Sequence, residues 1–541
     1  MREKYGAFHA AVNMLYDGDT LTLAADEDAP NLEQSVFDAV ADLIYKEGGF
    51  NINQVKDPAA RKLITETAKA INRAVDAHLP TDVPDTLRYA LEENGFIFSG
   101  FKTFHAMREI GLSLLNDKGE IKQYADFQAD VLKLNNKYNK NYLYAEYKHA
   151  IGTCQMAAKW HKIEADGDRY LLQYRTAQDE RVREEHALMD GITLPPSDPF
   201  WDKYYPPNGW GCRCTAVQVR RGKYTESDPK AAMELGDSAT EAAKQQIFRF
   251  NAGKEMQLFP PKHPYFKAPA AAKKVVQEVV QEESEQVRKD RYKAELPDSL
   301  TDAEKEAIVQ NYIDIEKAAK IRKGVPMSLD DADKQSANPK HVLQFIEDPN
   351  GTYRDKAGKR YKLNPDYKKS RDERYSINCA TCSPAYALRL RGFNVTAKGC
   401  VERSGSRNEW AMNGHSFDMW TNADGTPAKP AYTYEWKEKK GYKTMTEKRY
   451  HEYFEEVTKE EGVYILTIGW KGRGGHATIL QRFADGTLAY IEPQEYNGTA
   501  AKRDIDELCK KGAGNPHPKR GVLRVDNKIF NAGYMDLFDT E

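Results

Sequence analysis

A highly charged segment near the middle of the chain separates two regions whose sequence patterns differ. It reads AAAKKVVQEVVQEESEQVRKDRYKAE over residues 270–295 and contains two valine pairs. The spacing predicts a helix, and the density of charge indicates an exposed or weakly packed connector. Helical periodicity dominates before this segment, whereas after residue 377 helices are followed by predicted strands. The chain therefore folds into more than one domain.

Length, charge and cysteine content agree with a multidomain globular protein. The chain has 541 residues, whereas a single core stops growing beyond about 250–300 residues. Its formal net charge of -2 gives no overall attraction to nucleic acid or membranes. It lacks an apolar run long enough for a transmembrane helix and lacks a secretory signal, so we expect synthesis in the cytoplasm and no membrane segment. Seven cysteines in a chain of this length argue against a disulfide scaffold.

The predicted fold class is a mainly α-helical N-terminal region with small β elements, a helical connector and an α+β C-terminal domain. We place these parts at residues 1–265, 266–334 and 335–541. In the N-terminal region, a helix should end at Gly48-Gly49, and a short strand should follow Asp166. In the connector, Thr301 and Glu304 have the spacing of a capping box, and the helix that they begin should stop at Gly324.

The stretch INCATCSPAYALRLRGF, residues 377–393, contains two cysteines three positions apart. A structural zinc site needs four ligands, and Cys400 and Cys509 do not complete a second pair. A thioredoxin-type dithiol would follow a strand, but a charged loop precedes Cys379. A nucleophile at a helix N-terminus fits better, because the helix dipole and free N–H groups stabilise a thiolate.

Two positions for the start of this helix remain open. Asn378 as N-cap would place Cys379 in the first turn, whereas Ser383 as N-cap would make Pro384 the first helical residue. In the second case Cys382 would lie just outside the helix. Either cysteine could then face the dipole.

A cysteine nucleophile also requires a base, which is usually a histidine oriented by a third polar group. His451 sits on a charged helix, and His415 lies in a Gly/Asn loop. His476 is better placed, because it begins a predicted strand that turns at Asp485-Gly486 and returns as TLAYIEPQ. In an antiparallel hairpin, the return strand brings Glu492 or Gln494 alongside His476. A hairpin with no catalytic role would show the same sequence pattern.

Three pieces of this region, taken in order, resemble the papain-fold toxin family. They are NCATCSPAYALRLRGFNVTA, GRGGHATIL and YIEPQ. Its members are proposed cysteine peptidases or protein-glutamine deamidases. The resemblance covers residues 335–541 and implies Cys379 as nucleophile, with Cys382 as the alternative, and His476 as general base. The third member is where the sequence departs from the family, because Glu492 stands where the family usually has Asp; Gln494 stays the alternative that the hairpin spacing offers.

A second cysteine pair lies in NGWGCRC, at Cys212 and Cys214. Together with Asp179 and His186 upstream, these cysteines could form a four-ligand metal site. Asp179 and His186 are two helical turns apart and could share a face with Arg183, and such faces are more often structural polar networks. We therefore predict no metal and no cofactor, and these four residues are the candidate ligands if a metal is bound.

The stretch around this pair resembles phage-Mu-F-like head-morphogenesis proteins, which are minor capsid components near the portal. It reads YRTAQDERVREEHALMDGITLPPSDPFWDKYYPPNGWGCRC. The resemblance covers residues 30–265 and implies a structural role without catalysis. We expect a phage minor head protein fused to a papain-like cysteine hydrolase that deamidates glutamine or cleaves peptides in a protein target. The alternatives are a purely structural head protein with an inactive C-terminal domain, or a capsid maturation protease.

The fusion implies several partners. These are phage portal and capsid proteins, a protein substrate of the C-terminal domain and an immunity protein. We expect no direct contact with nucleic acid, and we expect the protein to associate with the virion after its synthesis.

Overall fold

The chain divides into two units, residues 1–288 and 289–541, each with its own hydrophobic cores. The structure, a computed structural model, describes residues 2–16, 30–80, 82–334, 338–354, 358–400, 415–469, 475–495, 503–512 and 520–540. Among these residues, no helix is both long and apolar enough to cross a membrane. The prediction of a multidomain chain is confirmed, and the three-part division of the sequence stays a prediction.

The first unit is built mainly from helices. They are α1 (Arg2–Tyr16), α2 (Gln34–Lys46), α3 (Pro58–His78), α4 (Asp85–Ser113), α5 (Tyr124–Asn135), α6 (Leu143–Asp166), α7 (Glu184–Ala187), α8 (Phe200–Tyr204), α9 (Pro229–Ala239), α10 (Ala243–Gln246), α11 (Ala252–Glu255) and α12 (Ala270–Ala294), which crosses the boundary between the units. Helix α3 packs against both α4 and α6. As predicted, α2 ends before Gly48, whose φ of 69° is the left-handed conformation that glycine adopts without strain.

A small antiparallel sheet follows the long helices of the first unit. Its strands are β1 (Leu171–Arg175), β2 (Thr193–Leu194) and β3 (Thr215–Val219), in the order β2-β1-β3. Strand β1 confirms the strand predicted after Asp166. Its buried residues Leu172 and Tyr174 pack in a second core with Trp160 and Trp201.

The charged segment at 270–295 is helical, as predicted, but the expectation that it is weakly packed is wrong. Val276, Val279 and Val280 are buried in the main core of the first unit. On the polar side, Arg61 forms ion pairs with Glu282 and Glu283. The valines repeat at helical spacing, so they form one apolar stripe that the surrounding charges conceal in the sequence.

The second unit contains the remaining helices and several sheets. The helices are α13 (Asp302–Ala319), α14 (Leu329–Lys334), α15 (Tyr367–Ser370), α16 (Cys379–Leu390), α17 (Thr433–Lys439), α18 (Glu447–Val457) and α19 (Ile505–Gly512). The strands are β4 (Phe345–Glu347), β5 (Tyr353–Arg354), β6 (Arg360–Leu363), β7 (Val395–Ala397), β8 (Trp420–Thr421), β9 (Ala431–Tyr432), β10 (Gly462–Gly469), β11 (Gly475–Arg482), β12 (Leu488–Ile491), β13 (Arg503–Asp504), β14 (Gly521–Arg524), β15 (Ile529–Phe530) and β16 (Phe538–Thr540).

Helix α13 begins as predicted and ends earlier than predicted. Thr301 and Glu304 form a complete capping box at its N-terminus. The helix ends at Ala319, because Lys320 adopts a left-handed backbone with φ 57°. Gly324, where we expected the helix to stop, lies beyond this end.

A six-stranded antiparallel sheet organises the second unit, with strand order β13-β12-β11-β10-β14-β9. Side chains alternate between its two faces, as the pleat of a strand requires. Ile465 and Ile479 pack on the face that α16 covers. Leu466 and Leu480 pack on the opposite face with aromatic residues of α17 and α18. The α+β character predicted for this region is confirmed.

Candidate active site

Helix α16 begins at Cys379, so the first of the two predicted starts is observed. Asn378 occupies the N-cap position, but its side chain does not cap the helix. Its side-chain amide instead donates to Oδ1 of Asn338 and to the carbonyl oxygen of Lys398, each at 3.2 Å. The alternative start at Ser383 is wrong, because Ser383 and Pro384 lie inside the helix. Cys379 is therefore in the first turn, at the positive end of the helix dipole.

The two cysteines of this helix differ in their access to solvent. Cys379 is partly exposed, whereas the side chain of Cys382 is fully buried in the core beneath the helix. Burial, followed by the negative charges of Cys379 and Glu492, raises the pKa of the Cys382 thiol well above its ordinary value. The reactive form of cysteine is the thiolate, so the geometry favours Cys379 over Cys382.

His476, near the start of β11, lies between the other two members of the predicted set. Its Nε2 is 2.5 Å from Oε2 of Glu492, and the Cys379 side chain is near enough to raise the pKa of the ring. Glu492 is almost fully buried and accepts a second hydrogen bond, at 2.9 Å, from the hydroxyl of Tyr490. Residues 470–474, the glycine-rich stretch before this strand, lie outside the described residues.

The surroundings of His476 favour its protonated form. Burial lowers the pKa of this imidazole, but the hydrogen bonds and negative charges of Cys379 and Glu492 outweigh it and raise the pKa to about 10. The ring therefore holds its second proton throughout the neutral range. A cysteine is activated by a neighbouring histidine when the two form a pair of thiolate and imidazolium.

A buried amide network attaches the helix start to the end of strand β12. The side-chain nitrogen of Asn338 donates to Oδ1 of Asn378 and to the carbonyl oxygen of Gln494, each at 3.1 Å. The Gln494 side chain reaches Oδ1 of Asn378 at 3.4 Å. Gln494 thus contacts the helix N-terminus, and Glu492 is the residue that contacts His476.

Sequence reasoning missed Tyr490 and Asn338. Tyr490 lies two residues before Glu492 on the same face of its strand, a spacing that could have predicted its contact with the carboxylate. Asn338 is 40 residues before Asn378, and no local pattern connects the two positions.

The other histidines considered as bases lie elsewhere. His415 is partly exposed and pairs with Asp418 at 2.9 Å. His451, on α18, pairs with Asp506 at 3.1 Å. Both act as partners of surface carboxylates.

Three of the four candidate metal ligands around the second cysteine pair lie close together. His186, Cys212 and Cys214 place one nitrogen and two sulfur atoms within 4.8 Å of one another. Asp179 does not join them, because its two carboxylate oxygens accept hydrogen bonds from Arg213, each at 2.6 Å. Arg183 donates to the carbonyl oxygen of Trp210 at 2.6 Å. Residues 179–183 are not helical, because α7 begins at Glu184, so the helical face predicted for Asp179, Arg183 and His186 is not formed.

The region around this cysteine pair is similar to known proteins. Residues 118–217 match the family described as "Phage Mu protein F like protein". The chain contains a phage Mu protein F-like domain. This match lies within the 30–265 range expected from the sequence and includes all three clustered residues. It lies entirely in the first unit, so the papain-fold resemblance of residues 335–541 stays a prediction.

Two curated relatives share part of their sequence with the chain. The "Mu-like prophage FluMu F protein" of Haemophilus influenzae is 34% identical over 90 residues, which are 15% of this chain and 22% of that protein. The "Putative capsid assembly protein F" of Escherichia phage Mu is 31% identical over 105 residues, 18% of this chain and 24% of that protein. The chain thus matches about a quarter of the length of these relatives. No solved structure matches it.

Proposed function

We propose that the chain is a phage minor head protein that carries a cysteine hydrolase in its second unit. The phage Mu F-like domain and the capsid-assembly name of one relative support the head-morphogenesis role. Its partners in this role are the portal and capsid proteins of the same phage, and the protein associates with the virion. If so, the chain co-sediments with purified phage particles at a fixed ratio to the portal protein, and its absence from particles would refute the role.

For the hydrolase, the observation that carries the proposal is the hydrogen bond of His476 with Glu492, on a strand against which the helix that begins at Cys379 packs. In the proposed reaction, the Cys379 thiolate attacks the carbonyl carbon of an amide, and backbone N–H groups at the start of α16 stabilise the negatively charged oxygen. The His476 imidazolium then gives its proton to the departing nitrogen. Glu492 keeps the ring oriented and stabilises its positive charge.

Water completes the proposed cycle. Neutral His476 takes a proton from water, and the resulting hydroxide attacks the thioester carbon. The carbon–sulfur bond breaks, which restores the thiolate beside the imidazolium and releases a carboxylic acid that then loses its proton to the solvent. A glutamine side chain would yield glutamate and ammonia, whereas a peptide bond would yield two chains. Both substrates use the same residues.

A thiol-directed activity probe tests the hydrolase. We expect the wild-type chain to be labelled and Cys379→Ala to be unlabelled, with Cys382→Ala as the matched control. No labelling of wild type would favour a purely structural protein with an inactive second unit. Intact-mass analysis of incubated phage and host proteins then separates the reactions: deamidation changes mass without cleavage, and fragments of capsid proteins or of the chain itself favour a maturation protease.

A further inference from the structure

The cluster of His186, Cys212 and Cys214 lies in the first unit, and the proposed function does not use it. His186 belongs to α7, in the segment that follows β1, and Cys214 directly precedes β3. The three side chains are thus brought together by the pairing of β1 with β3. His186 and Cys214 are buried, and Cys212 is partly exposed.

Both sulfur atoms face the same nitrogen of the histidine. Sγ of Cys212 is 3.7 Å, and Sγ of Cys214 is 3.6 Å, from Nδ1 of His186. A ring nitrogen can accept one hydrogen bond or donate one, so two neutral thiols cannot both donate to it. The other nitrogen, Nε2, is buried without a hydrogen-bond partner in the described part of the chain. The polar contacts of this ring are therefore directed at the sulfurs.

These separations match the edges of a metal coordination tetrahedron. Zinc binds imidazole nitrogen at about 2.0–2.1 Å and thiolate sulfur at about 2.3 Å, so a tetrahedral ion holds the two atom types about 3.5 Å apart. The observed nitrogen–sulfur distances are within a few tenths of an ångström of this value. Two thiolates and a neutral imidazole also balance the charge of a divalent ion.

A small cleft lies beside the cluster and provides a fourth position. It has a volume of about 20 Å³ and is lined by Arg181, Arg183 and Arg213 as well as by the three cluster residues. A space of about 10–15 Å³ accommodates one water molecule. Asp179 stays outside, because Arg213 binds its carboxylate.

We infer that His186, Cys212 and Cys214 bind one divalent zinc ion through Nδ1 and two thiolates, with a water molecule as the fourth ligand. The ion links the segment after β1 to the segment before β3. Binding is coupled to folding, because the unfolded chain does not hold these ligands together. The metal thereby stabilises the phage Mu F-like domain.

The experiment is metal analysis of the purified full chain. Wild type should contain about one zinc ion per chain, which should be lost in Cys212→Ser, Cys214→Ser and His186→Gln. Cys379→Ala and Asp179→Asn are the matched controls and should keep the metal. Absence of zinc from wild type after growth and purification with zinc would overturn the inference. Loss of zinc in Asp179→Asn would overturn the three-residue ligand set.

Cobalt substitution of the wild-type chain keeps the test decisive if a variant fails to fold. Bound Co²⁺ should show thiolate-to-metal charge-transfer absorption, and removal of the metal should lower the melting temperature. A spectrum without this absorption, or an intact mass reduced by two hydrogen atoms with a peptide joining Cys212 to Cys214, would show that the cysteines are not metal ligands.

Discussion

His476 forms a hydrogen bond with Glu492, which is its diagonal neighbour across the β11–β12 hairpin and not the residue directly opposite. Ile479 pairs with Ile491, and continuing this register sets Gln494 opposite His476. The Glu492 carboxylate nevertheless lies 2.5 Å from Nε2 of His476. Diagonal neighbours in an antiparallel pair are about 7–8 Å apart, within the reach of long side chains. The extra methylene of Glu relative to Asp suits this diagonal contact.

Removal of the Cys379 sulfur should abolish the proposed activity, whereas removal of the Cys382 sulfur should not. We expect Cys379→Ala to lower turnover by about 10³-fold or more. Cys382→Ala should stay within a few-fold of wild type, because the Cys382 side chain is fully buried. Turnover and thiol labelling of the two variants, measured side by side, check this. The reverse pattern would make Cys382 the nucleophile.

Glu492 should act as a positioning residue for His476. Glu492→Gln should lower kcat by about 10²–10⁴-fold with little change in KM, because it removes the charge that orients and stabilises the imidazolium. Glu492→Asp should recover only part of kcat, because the shorter side chain reaches less far along the diagonal. Tyr490→Phe should have a smaller effect than Glu492→Gln. Equal losses of kcat in Glu492→Gln and Glu492→Asp would argue against a role for the charge.

The protonation of His476 should stabilise the fold in a defined pH range. Its pKa is about 10 in the folded chain against an ordinary 6.5. A raised pKa gives a stabilisation that is fully present below pH 6.5 and is lost as the pH rises to about 10. The difference in unfolding free energy between wild type and His476→Gln should therefore shrink over this range. NMR titration should also show a lower imidazole pKa in Glu492→Gln, and an unchanged pKa would contradict the assigned contact.

The ion pair of Lys102 and Glu146 should be essential to the first unit. Their side chains are 2% and 0% exposed and in direct contact, and the Tyr16 hydroxyl donates to Glu146 at 2.7 Å. Lys102→Met leaves a buried carboxylate without its cation, so we expect a loss of about 3–5 kcal/mol in unfolding free energy. Denaturant unfolding measures this. The double variant Lys102→Met/Glu146→Gln should recover part of the loss, and no recovery would indicate that packing causes it.

Close packing between α4 and α12 should make Gly100 intolerant of a side chain. A Cβ added at Gly100 would lie 2.3 Å from Cγ2 of Val280. Gly100→Ala should therefore destabilise the chain by about 1–3 kcal/mol through overpacking. Thermal unfolding of Gly100→Ala/Val280→Ala provides the control, because the smaller residue restores space. If Gly100→Ala is as stable as wild type, α12 does not pack as described.

Local sequence signals predicted several features of the second unit. The capping box at Thr301 and Glu304 and the hairpin turn at Asp485-Gly486 both depend on neighbouring residues. The end of α13 could not be predicted in the same way, because Lys320 has no intrinsic preference for the left-handed backbone that it adopts. Local chemistry thus determined how these elements begin and turn, but not where this helix ends.

The sequence by itself determined which residue types were available for a site: a thiol at a helix start, a histidine at a strand start and an acid on the return strand. Only the tertiary structure decided which members meet. It buried Cys382 and left Cys379 accessible, directed Glu492 to His476 and directed Gln494 to Asn378. The same holds for Asp179, which Arg213 binds away from the second cysteine pair. The reason is physical: periodicity fixes the face on which a residue lies, whereas contacts between distant segments depend on how whole elements pack.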